Sequence, residues 1–181
     1  MNITWPKEHF PLDATELNII QERLQPEFSQ RLKSLQLPQE LNTQLAELYL
    51  PLAAWLAIQC RGAKPLIVGI NGAQGSGKST LCSLLKFLLE TGFNLKTCVL
   101  SIDDLYLTHA ERQDLAREIH PLLATRGVPG THDIPLGLQV FEQLAAATEE
   151  TITLIPRFNK GCDDRANKED WEQFCGKPDL I

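Results

Sequence analysis

The stretch that decides the fold is Gly72-Ala73-Gln74-Gly75-Ser76-Gly77-Lys78-Ser79, which fits the pattern G-x-x-x-x-G-K-[ST] at every fixed position. It follows Leu66-Ile67-Val68-Gly69-Ile70, an apolar run of the kind found in buried parallel strands. Leucines at helical spacing come after it and predict a helix that stops at Gly92. A chance glycine-rich turn rarely has this strand–loop–helix context, so the sequence predicts a phosphate-binding loop.

Each residue type in this loop has a chemical role. Glycines lack Cβ, so the backbone can wrap a phosphate and turn its N–H groups inward, and a helix that begins near Lys78 adds partial positive charge. We expect Lys78 to contact the β- and γ-phosphates, Ser79 to ligate Mg²⁺ and Thr80 to contact the α-phosphate. The residues predicted to hold ATP and Mg²⁺ are Gly72, Ala73, Gln74, Gly75, Ser76, Gly77, Lys78, Ser79 and Thr80.

Residues 1–64 are predicted to form a helical extension. Asp13 and Glu16 have the spacing of a capping box, and an apolar stripe runs from Leu17 to Leu35. Pro26 is expected to kink or split this helix. A second helical stretch is predicted from Pro38, with a further interruption at Pro51.

Beyond Pro65, predicted strands alternate with predicted helices. Strands are expected at 66–70, 97–102 and 151–155, helices at 81–92, 108–120 and 136–147, and a loop at 121–135. Residues 177–181 resemble the beginning of a further strand. The order predicts an α/β fold: a P-loop NTPase three-layer sandwich with a mostly parallel sheet. We expect two parts, the helical extension at 1–64 and the kinase core at 65–181.

Composition excludes several classes of function. A formal net charge of −6 argues against a nucleic-acid partner. The sequence contains no run of about 18 apolar residues, so we expect no membrane span. The first eight residues do not resemble a signal peptide. The cysteines are scattered and odd in number, as expected of reduced thiols in the cytoplasm: Cys60, Cys82, Cys98, Cys162 and Cys175. The oligomeric state is left open.

Two carboxylates, Asp103 and Asp104, follow the second predicted strand directly. Ligands of parallel α/β sheets bind beyond the carboxyl ends of the strands, where the phosphate loop is also expected. A carboxylate in that place can accept the proton of a substrate hydroxyl during phosphoryl transfer. We predict Asp103 as the base, and Asp104 either as a ligand of a Mg²⁺-bound water or as the cap of the following turn.

Three blocks of sequence resemble a known family. They are Asp103-Asp104-Leu105-Tyr106-Leu107-Thr108, Arg126-Gly127-Val128-Pro129-Gly130-Thr131-His132-Asp133, and Pro156-Arg157-Phe158-Asn159-Lys160 with Asp164-Arg165. In this order they resemble the D-glycerate 3-kinase group, which is related to uridine kinase, phosphoribulokinase and pantothenate kinase. The resemblance covers about residues 45–181.

The resemblance implies an ATP-dependent kinase that converts D-glycerate to 3-phosphoglycerate, with Lys78 and Asp103 as catalytic residues. It implies that the acceptor is a small molecule such as glycerate, contacted by Asp104, Tyr106, Arg126, His132, Asp133, Arg157 and Lys160. Arg126 or Arg157 is expected to donate two parallel hydrogen bonds to the carboxylate of the acceptor. His132 is expected to bond a hydroxyl or the transferred phosphate. The plainer alternatives are loop capping by His132 and Asp133, and a solvated surface pair for Arg157 and Lys160.

The sequence departs from the family pattern in two ways. Asn159 stands where the family usually has Asp, and the chain stops at Ile181, before the family's Glu-Gly-Trp segment and lid. We therefore expect a fragment or a truncated product with weak or lost catalysis. Two alternatives to a glycerate kinase are left open: a nucleoside or sugar kinase of the same superfamily, and a protein that binds ATP without turnover.

Overall fold

The computed structural model describes residues 13–60 and 62–181 of the chain. By their internal contacts these residues form two compact units. The first unit comprises residues 13–60, 62–99 and 179–181, and the second comprises Leu100–Pro178. The predicted division between residues 64 and 65 stays a prediction.

The first unit is mainly helical. Helix α1 spans Ala14–Ser34 and begins with the predicted capping box, because Asp13 and Glu16 each accept the backbone N–H of the other. A 3-10 helix at Gln39–Thr43 and a π-helix at Leu45–Tyr49 lead into helix α2, which spans Leu50–Gln59. Helix α3 spans Lys78–Phe93.

Of the two expected effects of Pro26, splitting of the first helix is wrong, because α1 continues through it, and a kink stays a prediction. Pro26 lies on the exposed side of the helix, so water can bond the carbonyl that the missing N–H leaves free. The opposite side of α1 is buried at Leu24, Phe28 and Leu32. Packing of that side outweighs the loss of one backbone hydrogen bond. Pro51 lies in the first turn of α2, a position where proline is tolerated.

Helix α3 also ends later than predicted. It passes through Gly92 and ends at Phe93, and Asn94 caps it with a φ of 55°, the left-handed conformation of a C-cap. A Cβ on Gly92 would lie 3.0 Å from Cδ1 of Leu24. Gly92 therefore serves close packing of α3 against α1 and does not stop the helix.

One apolar core holds the first unit together. Buried side chains of α1, α2, α3 and the π-helix form it, with Leu180 from the chain's last residues: Leu24, Phe28, Leu32, Leu45, Tyr49, Leu50, Ala53, Leu56, Leu84, Leu85, Leu88, Leu89 and Leu180. Burial of this apolar area is the main stabilising term of the unit.

The predicted strands of the first unit are present as isolated parallel bridges. Leu180 pairs with Leu66 on one side and with Thr97 on the other. The expected burial of the first strand is wrong for one face, since Ile67 is 64% exposed. Alternate side chains of a strand point to opposite faces, and the described residues cover the face that does not carry Ile67. A mostly parallel sheet stays a prediction.

The second unit combines helices with antiparallel strand pairs. Its helices are α4 at His109–Glu118 and α5 at Ile134–Ala146, with 3-10 turns at Ile102–Leu105, Pro121–Ala124 and Lys168–Asp170. Its strands are β1 at Ile152–Ile155, β2 at Phe158–Asn159, β3 at Asp164–Arg165 and β4 at Glu172–Cys175.

The strand predicted at 151–155 is observed as β1, but its pairing is antiparallel. β1 pairs with β4, and β2 pairs with β3. The connection between β1 and β4 contains the β2–β3 pair and a 3-10 turn, and it has no α-helix. Parallel neighbours are usually joined by a crossover helix, so a connection built in this way fits antiparallel pairing. Among the described residues, no helix is both long enough and apolar enough to cross a lipid bilayer.

Candidate active site

The glycine-rich loop of the first unit has the backbone that its sequence predicts. Gly75 and Gly77 have φ values of 76° and 86°, the left-handed region that favours glycine. Gly77 is the N-cap of α3, so the loop opens directly into the start of a 16-residue helix. The first amide groups of such a helix have no partner within the helix and carry the positive end of its dipole.

The side chain of Lys78 folds back onto the backbone of the glycine-rich loop. Its Nζ atom donates to the carbonyl oxygens of Gly72 at 2.8 Å and Ala73 at 2.9 Å. A Cβ on Gly72 would lie 3.0 Å from Oγ of Ser76, so the loop is too tight for a side chain there without a shift. Ser79 follows Lys78 in the first turn of α3. An ammonium, a left-handed glycine pair and a helix start fit a polyphosphate group.

The predicted base of the second unit is paired with a predicted substrate residue. Nζ of Lys160 lies 2.7 Å from Oδ2 of Asp103, and the two side chains are 65% and 48% exposed. The backbone N–H of Asp103 donates to Oγ of Ser101, which caps the 3-10 turn. Asp103 is thus held on a short, capped turn with its carboxylate accessible to water.

Asp104 turns inward and bonds residues far along the chain. It accepts Nη1 of Arg157 at 3.0 Å and the backbone N–H of Phe158 at 2.9 Å. Arg157 also bonds Glu172 through Nη2. Desolvation lowers the pKa of Arg157, but hydrogen bonds and charge from Glu172 and Asp104 outweigh it, and its pKa is raised. Asp104 therefore fixes the start of β2 rather than the turn that follows it.

His132 and Asp133 lie just before α5. The ring of His132 stacks on Tyr106 with 4.2 Å between centroids, and its Nε2 is buried without a hydrogen-bond partner in the described residues. Asp133 caps α5 by accepting the N–H of Leu136, and it also accepts Nη2 of Arg165 at 2.9 Å. For Asp133 the arrangement is that of a helix cap.

Arg126 belongs to a charged cluster that sequence reasoning missed. Its Nε lies 2.7 Å from Oδ1 of Asp163, and Asp163 also binds the guanidinium of Arg112 at 3.0 Å. Arg112 is fully buried on α4. Desolvation raises the pKa of Asp163, but hydrogen bonds and charge from Arg112, His109 and Arg126 outweigh it and lower that pKa.

No local signal in the sequence marks Arg112. It lies in a polar segment, His109-Ala110-Glu111-Arg112-Gln113-Asp114, in which an exposed arginine is the ordinary interpretation. Asp163 precedes the Asp164-Arg165 pair of the third family block, so a search next to that block could have found it.

The structure assigns the predicted residues to separate units. All nine loop residues lie in the first unit. All the predicted acceptor residues, with Asp103, lie in the second. Within residues 13–60 and 62–181, no cluster of three or more His, Cys, Asp or Glu side chains is suited to a metal ion. A glycine-rich loop that opens directly into a helix, as in the first unit, is typical of P-loop nucleotide-binding proteins.

Comparison with known proteins places the chain near kinases of one group. It is 32% identical over 169 residues to the chloroplastic D-glycerate 3-kinase of Arabidopsis thaliana, covering 83% of this chain and 37% of that protein. It is 40% identical over 116 residues to an uncharacterized kinase of Schizosaccharomyces pombe, covering 61% and 41% of the two chains. No protein-family model matches the chain.

A comparison with solved structures also points to this group of kinases. D-glycerate 3-kinase from Cryptococcus neoformans superposes with a TM-score of 0.52 at 32% identity, covering 65% of this chain and 41% of the other. These comparisons confirm the resemblance to the D-glycerate 3-kinase group. The chain spans less than half the length of the curated relatives it matches.

Proposed function

We propose that this chain carries the nucleotide-binding loop and acceptor residues of an ATP-dependent kinase, most closely one that converts D-glycerate to 3-phosphoglycerate. The observation that carries the proposal is the loop of the first unit, in which Lys78 lies over a backbone shaped by left-handed Gly75 and Gly77. The similarity to named D-glycerate 3-kinases supports the choice of acceptor.

The loop residues would hold the triphosphate of ATP. The Lys78 ammonium would exchange its carbonyl partners for the β- and γ-phosphate oxygens, because a charged acceptor forms the stronger hydrogen bond. The Ser79 hydroxyl would bind Mg²⁺, which in such sites is held by few protein groups together with the phosphates. When bound, Mg²⁺ neutralises phosphate charge.

The second unit supplies the groups that phosphoryl transfer requires on the acceptor side. Asp103 would accept the proton of the acceptor hydroxyl, since Lys160 contacts its Oδ2 and orients the carboxylate. Arg126, Arg157 and Lys160 give this unit the cations that an acidic acceptor requires. The reaction moves the γ-phosphoryl group of ATP to a hydroxyl oxygen, with ADP as the second product.

The finer features of the fold belong to this proposal. A three-layer sandwich with a mostly parallel sheet is supported by the parallel pairing of Leu180 with Leu66 and with Thr97. The similarity to D-glycerate 3-kinases supports a small-molecule acceptor, and a net charge of −6 argues against a nucleic-acid partner. We also propose a cytoplasmic location, although the Arabidopsis relative is chloroplastic.

An ADP-release assay tests the proposal. D-glycerate, uridine, pantothenate and ribulose 5-phosphate are offered separately with ATP and Mg²⁺. D-glycerate is expected to give the highest rate. Faster turnover of another acceptor would contradict D-glycerate as the substrate but would still support kinase activity. Binding of ATP with no turnover of any acceptor would instead favour a nucleotide-binding protein.

A further inference from the structure

We infer that Arg126 binds the carboxylate of the acceptor, and that Asp163, anchored by Arg112, is the residue that positions it. This inference rests on the proposed function and goes further, because it separates Arg126 from Arg157 and assigns a role to Arg112 and Asp163, which lie outside the three family blocks.

Arg126 is oriented from one side and open on the other. Its Nε is held 2.7 Å from Oδ1 of Asp163, and its guanidinium carbon lies 5.2 Å from the centre of the Phe158 ring. Its side chain is 32% exposed. Within residues 13–60 and 62–181 its two terminal nitrogens have no hydrogen-bond partner. A guanidinium that is fixed at Nε and open at both Nη atoms is prepared for two parallel bonds to a carboxylate.

The other predicted cations of the acceptor site are already paired. Arg157 uses Nη1 for Asp104 and Nη2 for Glu172. Lys160 uses its ammonium for Asp103. Both side chains keep unused N–H groups, but each already faces carboxylates of its own, and Lys160 offers a point charge instead of a planar fork. Asp163 has to serve both Arg112 and Arg126, which leaves Arg126 with positive charge that a carboxylate ligand can neutralise.

The position of Arg126 depends on a buried arginine. Arg112 is 0% exposed, and its guanidinium donates to the carbonyl oxygens of Leu107 and Ala124. It also donates to the carbonyl oxygen and the carboxylate of Asp163. Asp163 has a φ of 55°, a conformation that few residues other than glycine adopt readily. Arg112 thus fixes the backbone and side chain of Asp163 together, which leaves the other carboxylate oxygen for Arg126.

Three side chains therefore determine the substrate class. Arg112 fixes Asp163, Asp163 fixes Arg126, and Arg126 selects an acceptor with a carboxylate within reach of the reacting hydroxyl. A small hydroxy acid satisfies this requirement, and an uncharged polyol or the amide of the same acid does not. A site that bonds a charged group rejects analogues without it more strongly than an apolar pocket rejects a change of size.

The test is steady-state kinetics of the full chain with D-glycerate, using Arg126→Lys, Asp163→Asn and the control Arg117→Lys. Arg117 is 74% exposed on α4 and pairs with Asp114. Arg126→Lys keeps the positive charge but loses the two parallel N–H donors of the guanidinium. KM for D-glycerate should therefore rise about 10- to 100-fold, while kcat and KM for ATP change little. Asp163→Asn should raise the same KM about 10-fold. Arg117→Lys should change neither constant.

The split between the constants distinguishes positioning from general damage. A structural role alone would alter kcat, KM for ATP and thermal stability together. On the wild-type chain, D-glycerate should be preferred over D-glyceramide by at least about 100-fold, a comparison that does not depend on how any variant folds.

Two kinds of failure can be told apart. If D-glycerate is phosphorylated but Arg126→Lys behaves like Arg117→Lys, or Arg157→Lys gives the larger rise in KM, the inference is overturned and the proposed function stands. If the wild type uses D-glyceramide as readily as D-glycerate, the inference is likewise overturned. If it turns over no acceptor, the proposed function falls and the inference with it.

Discussion

The ammonium of Lys160 lies 2.7 Å from Oδ2 of Asp103, which is 57 positions earlier in the chain. Asp103 sits on a turn capped by Ser101, and Lys160 directly follows β2. The ion pair therefore connects two of the three sequence blocks that carry the family resemblance. It orients the carboxylate so that Oδ1 is left to accept the proton of a hydroxyl group.

Asp103→Asn is expected to abolish most turnover while nucleotide binding persists. An amide cannot accept the hydroxyl proton, so kcat should fall by at least about 100-fold. The measurement is ADP release with D-glycerate, accompanied by ATP titration. The matched control is Asp114→Asn on α4, which removes only an exposed pair with Arg117. Equal rates for wild type and Asp103→Asn would exclude Asp103 as the base.

Arg112→Met is expected to destabilise the chain. The substitution leaves the partly buried carbonyl oxygens of Leu107 and Ala124 without their donor, which costs about 1–3 kcal/mol in the free energy of unfolding. Urea denaturation measures it. The control, Arg117→Met, removes an exposed arginine from the same helix and should cost less than about 1 kcal/mol. Equal losses in the two variants would contradict the anchoring role of Arg112.

The lowered pKa of Asp163 predicts a dependence of stability on pH. Because its folded pKa lies below the unfolded value of about 3.9, its contribution is complete above that value and is lost as pH falls through the folded pKa. Asp163→Asn should therefore be less stable than wild type at pH 7. The difference should shrink below about pH 4. Thermal melts from pH 7 to pH 3 measure it, and a constant difference at every pH would rule out this explanation.

Leu180→Ala is expected to weaken the first unit. Leu180 is 6% exposed and packs in the core, while its backbone pairs with Leu66 and with Thr97. Truncation of a buried leucine costs about 2–5 kcal/mol. Leu138, which is 60% exposed on α5, provides the control, and its replacement by alanine should be nearly neutral. A neutral Leu180→Ala would mean that packing of the Leu180 side chain contributes little to the stability.

The parts of the fold that the sequence predicts well have causes within a few residues. The predicted capping box at Asp13–Glu16 is formed, and one of the same kind opens α4 at Thr108–Glu111. They depend on groups three positions apart. The left-handed glycines of the loop are equally local. Residues 177–181 resemble the beginning of a strand in the sequence, and Leu180 pairs with Leu66 and with Thr97.

The parts that sequence reasoning missed depend on distant partners. Arg112 is buried because Asp163, 51 positions away, accepts from it, and no periodic pattern encodes that distance. β4 is defined by its pairing with β1 rather than by its own composition. The ion pairs of Asp103 and Asp104 also join segments more than 50 positions apart. The sequence therefore proposes single site residues, which stay predictions, whereas it could not predict their contacts with distant partners.

The central claim is that the loop around Lys78 binds a magnesium nucleoside triphosphate. Isothermal titration of the chain with ATP in the presence of Mg²⁺ tests it directly. The matched variants are Lys78→Ala and Lys86→Ala, the second on the same helix and paired with Glu90. The wild type and Lys86→Ala should bind alike, and Lys78→Ala should bind at least about 10-fold more weakly. Absence of binding of both ATP and GTP by folded wild-type protein would contradict the account.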